Sequence, residues 1–437
     1  MSFISACFLF VLIAMIFFVV LNKCQFDLSS PSAVVCIMSM LSIMIMMLFV
    51  QKYQIELSIK MILIVPIAIL SFCMGSFIYQ RKINNILMLS DADIKVYGRS
   101  KLLFSLFFVL VTTFLYYKEV MRISELYGFN NSSMYGFLYY YRSASITDGS
   151  ALESQSKIVG QMVIASYAIS YLVLIDFAKR IIYHRIVKDK ISFVFEIGIV
   201  VLFSAQNIIS GGRTQFLYYI ESFVFLLVFL YGKKTAKAVS IKIVKKLLII
   251  LLVTFVAFYY IGGLTGKTSK YDILTTLFIY VGAPFAAFNE LIVGNVHFTQ
   301  EFFGSNTFFG FTDFLNKFGM NIPQKEMPAP FVQIGNVDTN IYGSFARYYI
   351  DFGFLGMILI LIALGLIYQR CYSRLLTNNK ELDLRLCFYL VIMKTIYDFA
   401  IEERFFMSVI SLGTLLRMIY IVLFYYIFRI RWKVKSR

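Results

Sequence analysis

NVDTNIYGSFARYYIDFGFLGMILILIALGLIY, residues 336–368, sets an arginine and an aspartate just inside a long apolar run. On a helix, Asn340, Ser344, Arg347 and Asp351 fall at i, i+4, i+7 and i+11, which makes one polar stripe, and the positions that continue it are apolar. Ionisable groups at the rim of a membrane helix are costly and normally face a protein-lined cavity rather than lipid. The spacing therefore predicts a transmembrane helix whose first turns hold something polar.

Working outward, the rest of the chain is of the same kind. Its 437 residues are 60% hydrophobic and 18% aromatic with a mean hydropathy of +0.78, and runs of about 20 apolar residues recur. This excludes a soluble fold and predicts an all-α polytopic membrane protein, a single integral membrane domain over residues 1–437. Spans are expected at roughly 2–21, 32–50, 57–79, 102–117, 158–177, 191–209, 214–231, 243–261, 341–368, 386–401 and 407–428. That is about eleven, within a range of about 10 to 12. The first run has no basic stretch before it and no small-residue cleavage site after it, so it reads as a retained helix.

The net charge of +17 would suit nucleic acid, but its placement argues against that partner. Lys and Arg cluster in the short loops 81–101, 179–190, 233–246 and 370–385 and in the tail 429–437, as orientation signals do. These segments are expected in the cytoplasm, which leaves 118–157 and 262–340 as outer loops and an odd span count with the N-terminus outside. The apolar run 273–293 is assigned to the large outer loop as a re-entrant or interface-lying helix. Its interior GAPFAAFNE carries Gly282 and Pro284, and its spanning would spoil the alternation of loops. The six cysteines show no CxxC or metal-ligand spacing, so neither disulfide, metal nor cofactor is expected. No internal repeat is visible, which argues against an inverted-repeat transporter.

Several short motifs carry chemistry. In SGGRT, 210–214, two glycines let backbone amides approach a ligand, and Arg213 offers a guanidinium that grips phosphate oxygens in a bidentate way. The plainer reading is an interfacial arginine that snorkels. Arg347 and Asp351 either serve an outer cavity or simply pair at i, i+4. Lys394, Asp398 and Glu402 fall at i, i+4 and i+8, with Glu403 and Arg404 following in IEERFF. Such carboxylates act as a general base or hold an acceptor hydroxyl, or else neutralise Lys394 and Arg417 inside the bundle. Asp176 and Glu221 are expected to make structural pairs of that second kind. YGFLYYYR, 135–142, joins aromatics such as Tyr140 to Arg142, a combination that suits sugar rings or lipid-phosphate headgroups but also the ordinary interface belt. His297 is a candidate base in the large outer loop.

SGGRT at 210–214, YVGAPFAAFNE at 280–290 and NIYGSFARYYIDFGFLG at 340–356, with about eleven spans and a large outer loop before the last third, resemble the Wzy-type polymerases of O-antigen and capsule repeat units. The resemblance covers the layout of most of the chain and motifs from 210 to 356. It implies a GT-C-like helical architecture in the bacterial inner membrane, with the active site on the periplasmic side. The implied reaction transfers a growing glycan from undecaprenyl diphosphate to the non-reducing end of another lipid-linked repeat unit. Neither metal nor nucleotide sugar takes part. Membrane lipid and a chain-length regulator protein are the other implied partners. Arg213 and Arg347, with Arg142, become candidate diphosphate ligands. Asp351, Glu290, Glu402 or His297 would orient or deprotonate the acceptor hydroxyl, and Asn340, Tyr342, Tyr140 and Arg404 would contact sugar. The Arg-x10-Gly pattern of some members is missing at both arginines, where Val224 and Ile358 stand in the glycine positions. The competing readings are a lipid-linked oligosaccharide flippase and an O-antigen ligase.

Overall fold

The computed structural model describes residues 2–25, 27–80, 86–130, 136–147, 154–185, 189–235, 253, 256, 258–262, 271–323 and 329–430, less the side chains of Ser2, Ala92, Ile146, Thr147 and Arg213. Two compact units divide the chain. The first comprises Met1–Leu87, Tyr271–Asn379 and Tyr389–Thr414, and the second comprises Met88–Lys270, Lys380–Phe388 and Leu415–Arg437.

The first unit begins with α1 (Ser2–Lys23), α2 (Pro31–Phe49) and α3 (Ile59–Gln80). α2 starts where its sequence says it should: the Ser30 hydroxyl accepts from Ala33 N, and Pro31 occupies the first turn, where no amide is needed. α9 (Ile273–Val293) is capped by Asp272, whose carboxylate accepts from Thr275 N at 2.8 Å, and is closed by Gly294 at φ 94°. It widens to a π turn over Phe278–Gly282, just ahead of Pro284. The missing proline amide and the crowding of its ring against the preceding turn account for that local unwinding. Near one end of α9, Thr275 bonds to Tyr53 (3.2 Å) and Lys52 (3.3 Å). Near the other, Asn289 bonds to Ser58 N and Glu56 O, both at 2.8 Å. Both ends therefore meet the one connection between α2 and α3.

Downstream lie a short helix α10 (Phe309–Asn316) and an antiparallel hairpin of β1 (Val332–Ile334) and β2 (Val337–Thr339), with Gln333 opposite Asp338. Then comes the 34-residue α11 (Ser344–Thr377). α11 packs tightly against α3: a Cβ on Gly75 would stand 1.9 Å from the Ile362 carbonyl oxygen, and one on Gly365 would stand 2.0 Å from that of Phe72. Small residues let two backbones meet where lipid offers no hydrophobic drive between helices. α12 (Leu382–Tyr397) follows, its part from Tyr389 onward in this unit and its start, to Phe388, in the second.

In the second unit are α4 (Arg99–Leu126), α5 (Gly136–Thr147), α6 (Lys157–Ile182), α7 (Lys190–Ile209) and α8 (Arg213–Thr235), with nearly all of α13 (Leu412–Arg429). A buried ion cluster ties α6 to α7 and to the segment before α4. Arg180 Nε meets Glu196 Oε1 at 2.6 Å and its NH2 donates to Tyr97 O at 2.8 Å, while Asp176 accepts from Tyr97 N at 2.9 Å. Lys179 pairs with Asp383 at 2.5 Å. Asp176 thus makes the structural pairing expected of it, satisfying charges that would otherwise be prohibitive in an apolar bundle.

Among the described residues ten helices are long and apolar enough to cross a membrane: α1 to α4, α6 to α9, α11 and α13, α8 being counted from Thr214. The expected span at 243–261 lies almost wholly outside the described residues. The one expected at 386–401 is a 16-residue helix that stops at Tyr397, because the charged stretch from Asp398 turns back on α11. The chain is an all-α polytopic membrane protein.

Candidate functional site

The site in the first unit is built on the start of α11. The first amides of a helix need acceptors from elsewhere, and here the turn after α12 supplies them. Gly343 N donates to Ile401 O (2.8 Å) and Ser344 N to Phe399 O (3.1 Å), while the Ser344 hydroxyl donates to Glu402 O (3.0 Å). This docking sets Glu402 beside Arg347. Arg347, only 4% exposed, meets Glu402 Oε1 at 3.4 Å through NH2 and donates to the Asn306 carbonyl at 3.2 Å through NH1. The other oxygen of Glu402 binds Arg404 NH2 at 2.7 Å, and Arg404 Nε meets Asp398 Oδ2 at 3.2 Å. Two guanidiniums thus share one carboxylate.

Asp351 does not pair with Arg347. It accepts from Asn306 Nδ2 (2.9 Å) and Thr307 N (2.6 Å), and the Thr307 hydroxyl returns to the Arg347 carbonyl (3.2 Å). The i, i+4 pairing fails because a carboxylate satisfied by two neutral donors on a folded-back loop leaves the guanidinium to face the turn. Gly353 then breaks α11 at φ 66°, ψ −170°, a conformation closed to other residues, so the turns carrying Arg347 and Asp351 are a separate helical piece.

Glu403 lies beneath this surface, fully buried. It accepts from Tyr348 Oη, Phe406 N and Met407 N, all at 2.9 Å. Burial pushes its carboxyl above the usual range, opposed by these three donors and by the Arg347 charge. It anchors the turn on which Glu402 and Arg404 stand. Sequence reasoning missed Asn306, Thr307 and Tyr348 as partners and gave Glu403 no role of its own; a small polar triplet in a loop and a tyrosine in an apolar run carry no periodic signal.

Other expectations are revised. Asn340 precedes α11 rather than lying on its stripe, since the chain passes from β2 through an irregular stretch before Ser344. Tyr342 is buried, its hydroxyl donating to Pro330 O at 2.7 Å and its ring packing edge-on against Phe298. Glu402 is not at i+8 of a helix from Lys394, because α12 has already ended. Asp398 pairs with Arg404, while Arg417 lies over the ring of Tyr167 in the second unit. Glu290, at the far end of α9, accepts from Asn295 at 2.6 Å, and His297 is exposed; neither enters the Arg347 network.

In the second unit two of the quoted motifs meet. Gly211, at φ 69°, lies under α5, where an added Cβ would stand 3.2 Å from Arg142 Cβ and 3.5 Å from Leu138 O. YGFLYYYR therefore rests on the SGGRT turn, with Arg142 half-buried and Tyr140 36% exposed. Arg213 opens α8, and its side chain lies outside the described residues, as does all of Tyr135.

Ten long apolar helices among the described residues define the class: a multi-pass helical membrane protein that also buries charged side chains. No family model, curated protein or solved structure matches the chain.

Proposed function

We propose that this protein polymerises lipid-linked oligosaccharide repeat units on the outer face of the bacterial cytoplasmic membrane. It would transfer the growing glycan from undecaprenyl diphosphate to the non-reducing end of another lipid-linked unit, in a GT-C-like architecture whose large outer loop carries α9 as a re-entrant or interfacial helix. The contact of both α9 ends with one interhelical connection supports that placement.

The observation that carries the reading is the sharing of Glu402 by Arg347 and Arg404 at the start of α11. A diphosphate leaving group needs cations, and its acceptor needs an oriented hydroxyl more than a strong nucleophile. Arriving diphosphate oxygens take the guanidiniums, and Glu402 is released to accept a proton. The bond between the anomeric carbon and diphosphate oxygen breaks, the acceptor oxygen bonds to that carbon, and the acceptor's proton passes to Glu402. Asp351, committed to Asn306 and Thr307, positions the loop over Arg347 instead.

The test is the polysaccharide ladder of cells expressing variants at matched levels. Arg347→Ala is expected to reduce extension beyond one repeat about 10- to 100-fold, the loss of one charged hydrogen-bonding partner in the transition state. Arg347→Lys should restore it only in part, for want of the bidentate fork. A normal ladder in Arg347→Ala would overturn the proposal as placed on this residue. A flippase is the second reading, favoured by the buried Arg180 cluster. It predicts that deletion traps repeat units on the cytoplasmic face, whereas the polymerase reading leaves single units exposed outside.

A further inference from the structure

The second unit holds another polar centre, next to the SGGRT turn, whose Ser210 hydroxyl donates to the Asn207 carbonyl at 2.6 Å. Arg417 sits in the second turn of α13, with its guanidinium 4.6 Å over the ring of Tyr167 on α6. Among the described residues no carboxylate comes within ion-pair distance of it. Tyr167 belongs to a packed layer of rings: Tyr171 at 4.3 Å, Phe203 at 5.9 Å, and Tyr219 at 5.5 Å from Tyr171. Beside Tyr167 in sequence, the Ser166 hydroxyl donates to Gln206 Oε1 on α7 at 2.8 Å. Gln206 is 2% exposed, and its Nε2 is buried without a hydrogen-bond partner, as are Asn207 Nδ2 and Ser170 Oγ.

An apolar bundle is a costly place for such a set. A cation within a membrane helix persists where it has a partner, and a buried polar group that lacks its hydrogen bond lowers stability. The aromatic face answers the guanidinium only in part. What the centre offers is a cation, two amide donors and a hydroxyl beside a layer of rings set mostly edge to face. That donor set selects an anion, and the guanidinium fork matches phosphate oxygens. The surrounding helices are those of a membrane span, so the anion must arrive attached to a lipid.

We propose that this centre binds the phosphorylated headgroup of a lipid, with Arg417 as the charged ligand, the Gln206 and Asn207 amides as further donors and Tyr167 as the platform. The site is independent of the polymerase reading and of Arg347.

The purified full chain in a neutral detergent is titrated with phosphatidylglycerol, with polyprenyl phosphate and with diacylglycerol as the uncharged control, and bound lipid is counted by native mass spectrometry. Wild type is expected to retain one phosphorylated lipid and to bind diacylglycerol at least about tenfold more weakly, the equivalent of one charged hydrogen bond. Tighter binding of polyprenyl phosphate would identify a carrier lipid as the source, and tighter binding of phosphatidylglycerol the bulk membrane. Arg417→Gln should weaken phospholipid binding about tenfold or more, and Arg417→Lys should recover it partly. Gln206→Leu guards against misfolding of the arginine variants. It removes the unpaired donor together with the acceptor of the Ser166 hydroxyl, so a cooperative melting curve is required before binding, expected to fall about three- to tenfold, is read. Every titration is repeated in an Arg347→Gln background, so that lipid held at the start of α11 is not counted at this site. Equal binding of diacylglycerol and phosphatidylglycerol, or unchanged binding in both Arg417→Gln and Gln206→Leu, would overturn the proposal.

Discussion

Tyr348 illustrates how little of a buried partnership shows in a residue's own neighbourhood. It sits in an apolar-aromatic run, yet its hydroxyl is one of three donors to the buried Glu403. Hydrogen bonds to a charged acceptor contribute about 1.5 to 3 kcal/mol. Tyr348→Phe is therefore expected to lower the midpoint of thermal unfolding in detergent with the fold retained. Glu403→Ala should cost more, since it strands two backbone amides as well. Equal melting of Tyr348→Phe and wild type would mean that the backbone amides alone hold the turn. Arg347 and Asp351 were legible as two charges at helical spacing, and the choice of partners was not. Asn306 and Thr307 come from a segment some forty residues earlier, so no local pattern records that they reach Asp351.

Helices were the most legible elements, because about 20 consecutive apolar residues admit few alternatives in a membrane. Their ends were less so. Asp398 and Glu402 read as the continuation of a helical stripe from Lys394, whereas the chain turns there to satisfy the first amides of α11. The break at Gly353 was equally hidden: a glycine in a membrane helix usually marks close packing, and only its dihedral angles reveal the bend. Gly353→Ala is expected to destabilise the protein by about 1 to 3 kcal/mol through backbone strain, and to reduce polymer extension by displacing the Arg347 turns. Wild-type melting and ladder together would show that the two pieces of α11 can run as one helix. Gly75→Ala should be the harsher change, since its methyl would meet the Ile362 carbonyl and force α3 from α11; its checkable outcome is loss of folded protein on extraction.

For the whole molecule, orientation is argued from the distribution of Lys and Arg. Cysteine substitutions at Ser145 and Asn321 should be labelled from outside intact cells and one at Thr235 should not. Labelling at Thr235 would invert the map. A cysteine at Asn295, just past α9, should also be labelled from outside; protection there would mean that α9 crosses. What the sequence by itself determined is the class of protein: apolar run length and the cost of unpaired backbone groups in lipid leave helices as the solution. It also marked Arg347, Asp351, Glu402 and Arg404 as charges that need an explanation, because ionic groups within apolar runs are dear wherever they lie. Which charge meets which was decided only in the tertiary structure. A helix fixes neighbours at three and four residues, but the partner with the best geometry and most complete hydrogen bonding was supplied by a turn and a loop distant in the chain.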